Sequence, residues 1–192
     1  LLDAAAVDDF AQQLEADLLI NCCGLATFGT ALSLSEATKN ALWQVNYQTA
    51  VRLMKQVAER NRKIRLVQFS SLAALCPHPY LAAYSASKAA LQTYCLALQE
   101  ELRLKGSEVT VCLYILGPVR TAIFPSELQD ALGGAKLQMS PETVARRIIR
   151  LLQHGRSYAI VGKRYRLLVW LMQLLPQRWI IRLIGAYLRK GL

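Results

Sequence analysis

The chain has 192 residues, 54% hydrophobic and 19% charged, and carries a formal net charge of +10. Such a composition supplies a sizeable apolar core and too few charges for a disordered polypeptide. Five cysteines without a CxxC spacing and only two histidines exclude a disulfide-built scaffold and argue against a metal centre, so Cys22, Cys23, Cys76, Cys95 and Cys112 read as reduced core residues of a cytoplasmic protein.

The predicted elements alternate along the chain. Asp3 caps a helix over residues 4–14, and a strand over 17–21 ends in the turn Asn21-Cys22-Cys23-Gly24. A long helix is expected over about 35–60, then a buried strand over 64–70, a loop holding Pro77 and Pro79, and a helix over 82–105. A strand over 108–115 precedes an irregular stretch over 121–139 that contains Pro125 and Gly133-Gly134. Ser140-Pro141 then starts a helix running to His154, and a last strand covers 158–161. Strands alternating with helices through short connections imply a parallel sheet covered by helices, an α/β doubly wound architecture.

Within the helix over 82–105, Tyr84 and Lys88 stand one turn apart in the run Tyr84-Ser85-Ala86-Ser87-Lys88. Positions i and i+4 share a face, so a lysine charge there stabilises phenolate and pulls the tyrosine pKa down from roughly 10 toward the working range. That is the tuning of a general acid. The spacing alone is a weak signal, and the surroundings strengthen it. Ser71 lies thirteen residues before Tyr84, at the end of the buried strand. Asn46 sits inside the long helix, where asparagine is a poor helix former. Leu116-Gly117-Pro118-Val119-Arg120-Thr121 follows the strand over 108–115.

This ordered set resembles the short-chain dehydrogenase/reductase family, whose motifs are an NNAG turn, a lone Asn, a Ser, YxxxK and a PGxVxT loop. The resemblance runs from Leu1 to about Gly162. It implies a Rossmann-like fold and NAD(P)-dependent interconversion of a carbonyl and an alcohol, with Tyr84 as proton donor or acceptor and Lys88 tuning it and holding the nicotinamide ribose. In the same family pattern Ser71 hydrogen-bonds the substrate oxygen, and Asn46 binds a water that relays protons to Lys88. Asn21, Gly24, Tyr84, Lys88, Gly117, Val119 and Thr121 would contact the cofactor, NAD or NADP with NADP slightly favoured. The helices over 41–60 and 82–105 would pair with their copies in a homodimer or homotetramer. Each residue also has a plainer reading: Tyr84 as a packed core tyrosine, Lys88 as a solvated helix lysine, Asn46 as a local cap or kink, and Ser70 as the competitor of Ser71.

The departures from the family pattern are informative. Cysteines replace the second Asn and the Ala of the turn, and Leu116 replaces a proline, which is expected to loosen the loop. No Gly-x-x-x-Gly-x-Gly occurs in the chain, so the resemblance implies that the family's phosphate loop and two βα units lie upstream of Leu1. These 192 residues alone are accordingly expected to be inactive and not to bind NAD or NADP, because the pyrophosphate lacks its helix N-terminus.

The charge is uneven. Residues 143–192 hold 11 Lys/Arg and no acid, against 12 Lys/Arg and 13 Asp/Glu over 1–142. After Gly162 the longest uncharged run, residues 167–177, is too short for a bilayer span of about 20 residues. Basic residues flanking leucine-rich runs with Trp170 and Trp179 suggest paired helices lying in a membrane interface; the alternatives are a hairpin packed over the substrate loop or a dimer contact. Leucine and isoleucine where a nucleic-acid surface would be polar argue against nucleic acid. The organisation is thus residues 1–162, the C-terminal two-thirds of a Rossmann-type domain, and 163–192, a basic amphipathic helical extension. The reading is an oxidoreductase acting on a small apolar, lipid-like carbonyl or alcohol, peripheral on the membrane. The alternative is a non-catalytic membrane-surface interaction protein lacking the phosphate loop.

Overall fold

The computed structural model describes residues 3–60, 63–124 and 137–189. Strands β1 (Leu18–Asn21), β2 (Ile64–Ser71), β3 (Val109–Leu116) and β4 (Tyr158–Val161) form one sheet in that order, each pair parallel. Parallel neighbours need crossovers, and helices supply them. These are α2 (Glu36–Trp43) and α3 (Thr49–Glu59) between β1 and β2, α4 (Ala82–Leu104) between β2 and β3, and α5 (Pro141–Gln153) between β3 and β4; α1 (Ala4–Gln13) precedes β1, and α6 (Lys163–Gln173) and α7 (Gln177–Leu188) follow β4.

Side-chain alternation along the strands assigns the two faces of the sheet. Ile64, Leu66, Val109, Val111 and Leu113 pack with Val7 and Ala11 of α1, Leu53, Met54 and Val57 of α3, and Leu91 and Cys95 of α4. The intervening residues Val67, Cys112 and Tyr114 meet Val144, Ile148 and Leu152 of α5 on the other face. Helices on both faces of a parallel sheet make the expected Rossmann-like doubly wound architecture. Arg60 ties α1 to α3 by donating to the carbonyls of Ala11 and Leu14 at 2.6 and 3.1 Å. The extension packs onto this body through Tyr165, Val169, Ile180 and Leu188, all buried.

Several boundaries differ from the sequence reading for physical reasons. The long helix over 35–60 is interrupted by a π-helical turn, Gln44–Gln48, in which Thr49 N–H reaches back to the Gln44 carbonyl. Leu116 extends β3 by one residue, pairing with both Ser71 and Val161. A proline could not donate to the ladder, and the leucine lets β3 run on to position 116. Cys22 and Cys23 are exposed because they follow β1 in a turn, whereas Cys76, Cys95 and Cys112 are buried, and all five are free thiols. Pro125 and Gly133-Gly134 of the predicted irregular stretch lie outside the described residues.

Candidate active site

In an open α/β sheet ligands bind beyond the carboxyl ends of the strands, and the predicted site residues gather there. Ser71 ends β2, and its Oγ accepts from Ala73 N–H at 3.2 Å, capping a 3-10 turn over Leu72–Ala74. The same hydroxyl lies close enough to the Tyr84 phenol to hold back the rise that burial gives its pKa. Alternation turns Ser70 the other way, donating to the Lys88 carbonyl and to Gln92 Oε1, both at 3.2 Å. Ser70 therefore fastens β2 to α4, and Ser71 faces the site.

Tyr84 and Lys88 lie in the first two turns of α4 and are 7% and 5% exposed. The Tyr84 ring stands edge-on to Phe124, with centroids 5.6 Å apart, in an apolar cluster with Leu42, Ala73, Leu81 and Leu188. Lys88 Nζ donates to the Phe69 carbonyl at 3.0 Å. Burial pushes the Tyr84 pKa up, opposed by Ser71. Burial also pulls Lys88 down, to about 8, against the influence of Cys95 and Cys23. The expected lowering of the Tyr84 pKa by Lys88 is thus not seen. The ammonium is turned to Phe69, and desolvation dominates. Just upstream of α4, Tyr80 adopts a φ of 66°, a strained left-handed conformation for a residue with a side chain; its carbonyl accepts from Gly29 N–H at 2.9 Å.

Asn46 explains the π turn. Its Oδ1 accepts from Leu25 N–H and its Nδ2 donates to the Leu25 carbonyl, both at 2.8 Å, and Nδ2 also reaches Ser87 Oγ at 3.0 Å. The amide thereby replaces both backbone partners of Leu25 and clamps the loop after β1 to the helix, and π turns of this kind concentrate at functional sites. The structure joins Asn46 to Ser87 and not directly to Lys88. The two groups instead face each other across Gly24, where an added Cβ would stand 3.5 Å from Asn46 Oδ1 and 3.5 Å from Lys88 Nζ. Asn46→Ala leaves the Leu25 groups without this partner and is expected to cost about 2 kcal/mol, lowering Tm by about 4–8 °C. An unchanged melting curve would show that the clamp contributes nothing to the fold.

Asn21 braces the sheet: its Nδ2 donates to Gln68 Oε1 at 2.9 Å, directly across the β1–β2 register, and its Oδ1 accepts from Cys23 N–H at 3.1 Å. After β3, Val119 bridges to Met139, with Arg120 N–H donating to the Met139 carbonyl and Met139 N–H to the Pro118 carbonyl, each at 2.9 Å. Thr121 is exposed on the bend that follows. Gly117 is bare because a Cβ there would meet the Tyr165 ring at 2.5 Å. Tyr165 also hydrogen-bonds the Pro118 and Leu137 carbonyls, so it wedges this loop in place. Tyr165, Gln68 and Ser87 were not singled out from the sequence; only Ser87, inside the Tyr84–Lys88 turn, carried a local signal. The histidines lie apart from this constellation. His78 bonds the Cys76 carbonyl and His154 that of Arg150, each at 2.7 Å, and among the described residues no group of three His, Cys, Asp or Glu side chains could hold a metal.

Fold and site together are those of a Rossmann-like α/β domain built around a serine, a tyrosine and a lysine at the strand ends. The short chain dehydrogenase model matches residues 3–131, and the chain belongs to that family of oxidoreductases. It is 28% identical to the probable short-chain type dehydrogenase/reductase VdlC of Helicobacter pylori, covering 88% of this chain and 70% of the relative. It is also 28% identical to the dehydrogenase/reductase SDR family member 7B of Xenopus laevis, covering 92% of this chain but 59% of that protein. Among solved structures, a short chain dehydrogenase from Burkholderia cenocepacia in complex with NADP superposes with a TM-score of 0.77 at 20% identity, covering 95% of this chain and 75% of that one. A short chain dehydrogenase/reductase from Burkholderia phymatum in complex with NAD gives 0.76, also at 20% identity, covering 90% and 72%.

Proposed function

We propose that the protein interconverts a carbonyl and an alcohol on a small apolar, lipid-like substrate, with NADP as the favoured cofactor and NAD as the alternative. The observation that carries this reading is the convergence of Ser71, Tyr84 and Lys88 beyond β2, under an apolar cluster that includes Leu42, Leu81 and Phe124. A nicotinamide cofactor is compatible with the residues present: Gly24 puts no side chain in front of Lys88 Nζ and Asn46 Oδ1, each 3.5 Å from where a Cβ would stand. Asn21, Gly24, Tyr84, Lys88, Gly117, Val119 and Thr121 are the residues that would hold it. When bound, nicotinamide supplies or accepts the hydride.

The remaining chemistry belongs to this chain. Tyr84 Oη gives its proton to the substrate carbonyl oxygen, or takes one from the alcohol. Its raised pKa in the closed site keeps it in the donating form. Ser71 donates a hydrogen bond to the same oxygen and stabilises the charge developing there. Lys88, at about 8, exchanges a proton near neutral pH, and Asn46 across Gly24 orients the path by which that proton is replaced. The test is turnover of the full-length protein with NADPH or NADH and a series of apolar aldehydes and ketones, or their alcohols with the oxidised cofactor. Turnover is expected, and Ser71→Ala should reduce kcat by about 100-fold. No turnover in either direction would leave the non-catalytic interaction protein, a reading favoured by the apolar residues exposed on α6 and α7.

We also infer a homodimer or homotetramer formed through α2, α3 and α4. Trp43 lies tilted against Tyr47 and Tyr47 edge-on to Tyr94, with centroids 4.9 and 6.3 Å apart, and Trp43 and Leu96 remain 38% and 40% exposed. Apolar surface beyond the sheet-facing stripe calls for a partner, and a two-fold copy is the commonest one. Ala89 is half-buried, so Leu96→Glu is the cleaner probe. It should convert the sedimenting species to monomer, and an unmodified protein already monomeric in detergent would remove this interface.

A further inference from the structure

We propose that α6 and α7 form a docking surface for an anionic membrane, lying among the lipid headgroups without spanning the bilayer. Helix α6 turns Tyr165 and Val169 inward and leaves Leu167, Trp170, Leu171 and Leu174 between 45% and 64% exposed. At about 100° per residue these four project within about 100° of one another, opposite the buried pair. Helix α7 buries Ile180 and Leu188 and exposes Trp179, Leu183 and Tyr187 at i, i+4 and i+8. Arg178, Arg182 and Arg189 run along the flank of that stripe. A helix facing water carries polar residues on its outer side. An apolar face bordered by arginines is the pattern of an interfacial helix.

Charge and length select the occupant. Residues 143–192 hold 11 Lys/Arg and no acid, so a second copy apposed about a two-fold axis would set arginine against arginine. An anionic bilayer meets both requirements: arginines find phosphates, and tryptophans settle at the headgroup level. Arg147 and Arg150 of α5, with Lys163 and Arg166 of α6, help line a cleft of about 1200 Å³, extending the same positive surface. The helices are 11 and 12 residues long, about 16–18 Å against a hydrocarbon core of about 30 Å. No helix among the described residues is long and apolar enough to cross a membrane. Because Ile184 and Leu188 belong to the cluster that holds Tyr84, docking sets the candidate active site at the bilayer surface.

The experiment is co-sedimentation of the full-length protein with vesicles of phosphatidylcholine alone or mixed with phosphatidylglycerol, a readout independent of turnover. Binding to the anionic vesicles, weakened by salt, is expected. The pairs Trp170→Glu with Leu174→Glu and Arg178→Gln with Arg182→Gln should each weaken it about tenfold or more. These side chains are outside the described core, and circular dichroism checks that the fold is retained. Protein left in the supernatant with anionic vesicles would overturn the proposal. Equal binding to neutral vesicles, insensitive to the arginine pair, would overturn the anionic assignment. A dimer that dissociates on Trp170→Glu with Leu174→Glu, without vesicle binding, would assign the face to a second copy.

Discussion

Tyr84→Phe in the full-length protein is expected to lower kcat by about a thousandfold, equivalent to about 4 kcal/mol of barrier, while leaving the cofactor Kd nearly unchanged. The substitution is nearly isosteric. Tyr84 is 7% exposed and its ring rests edge-on against Phe124, contacts that phenylalanine keeps. What disappears is the hydroxyl, the group whose pKa Ser71 holds down against burial. A loss confined to kcat, with kcat/KM falling equally, marks an interaction made only in the transition state. The fold has little reason to respond, since the residue's burial rests on its ring. Turnover retained within a few-fold of the parent would mean that the transferable proton comes from another group, and the catalytic assignment of Tyr84 would go.

The parts of this site readable from sequence are those fixed by period and spacing. One apolar run of strand length, residues 64–70, placed Ser71 at a strand end, and the i, i+4 spacing put Tyr84 and Lys88 on one helical face. Both relations follow from backbone geometry and survive any packing. What could not be read depends on contacts between distant segments. The π turn at Gln44–Gln48 exists because Asn46 satisfies Leu25, twenty-one residues away, and helix propensity carries no record of that partner. The same holds for Lys88. Spacing put its charge beside the phenol, yet the Phe69 carbonyl, supplied by β2, takes the ammonium, and burial then sets both pKa directions. Tyr165 is a third case, since the need for a glycine at position 117 appears only when α6 folds back onto the loop after β3.

Lys88→Met is expected to abolish turnover and at the same time to stabilise the protein at neutral pH by about 2 kcal/mol. Holding an ammonium whose pKa falls to about 8 costs the fold roughly 3 kcal/mol relative to the unfolded chain. Its hydrogen bond to the Phe69 carbonyl offsets about 1 kcal/mol of that. Methionine fills similar volume without the charge. The pH dependence follows from the direction of the shift. Below pH 8 both the folded and the unfolded lysine are protonated, so the cost is fully present. Between about 8 and roughly 10.4, the unfolded value, the folded lysine has lost its proton and the unfolded one has kept it, so the parent protein gains stability as pH rises. The Tyr84 phenol titrates in both proteins and cancels from the comparison. Denaturant unfolding of parent and variant between pH 7 and pH 10 should therefore give a gap that favours the variant at the lower end and closes toward the upper. A variant less stable than the parent at pH 7, or a gap that does not change with pH, would show that Lys88 is held by favourable charge interactions which outweigh its desolvation.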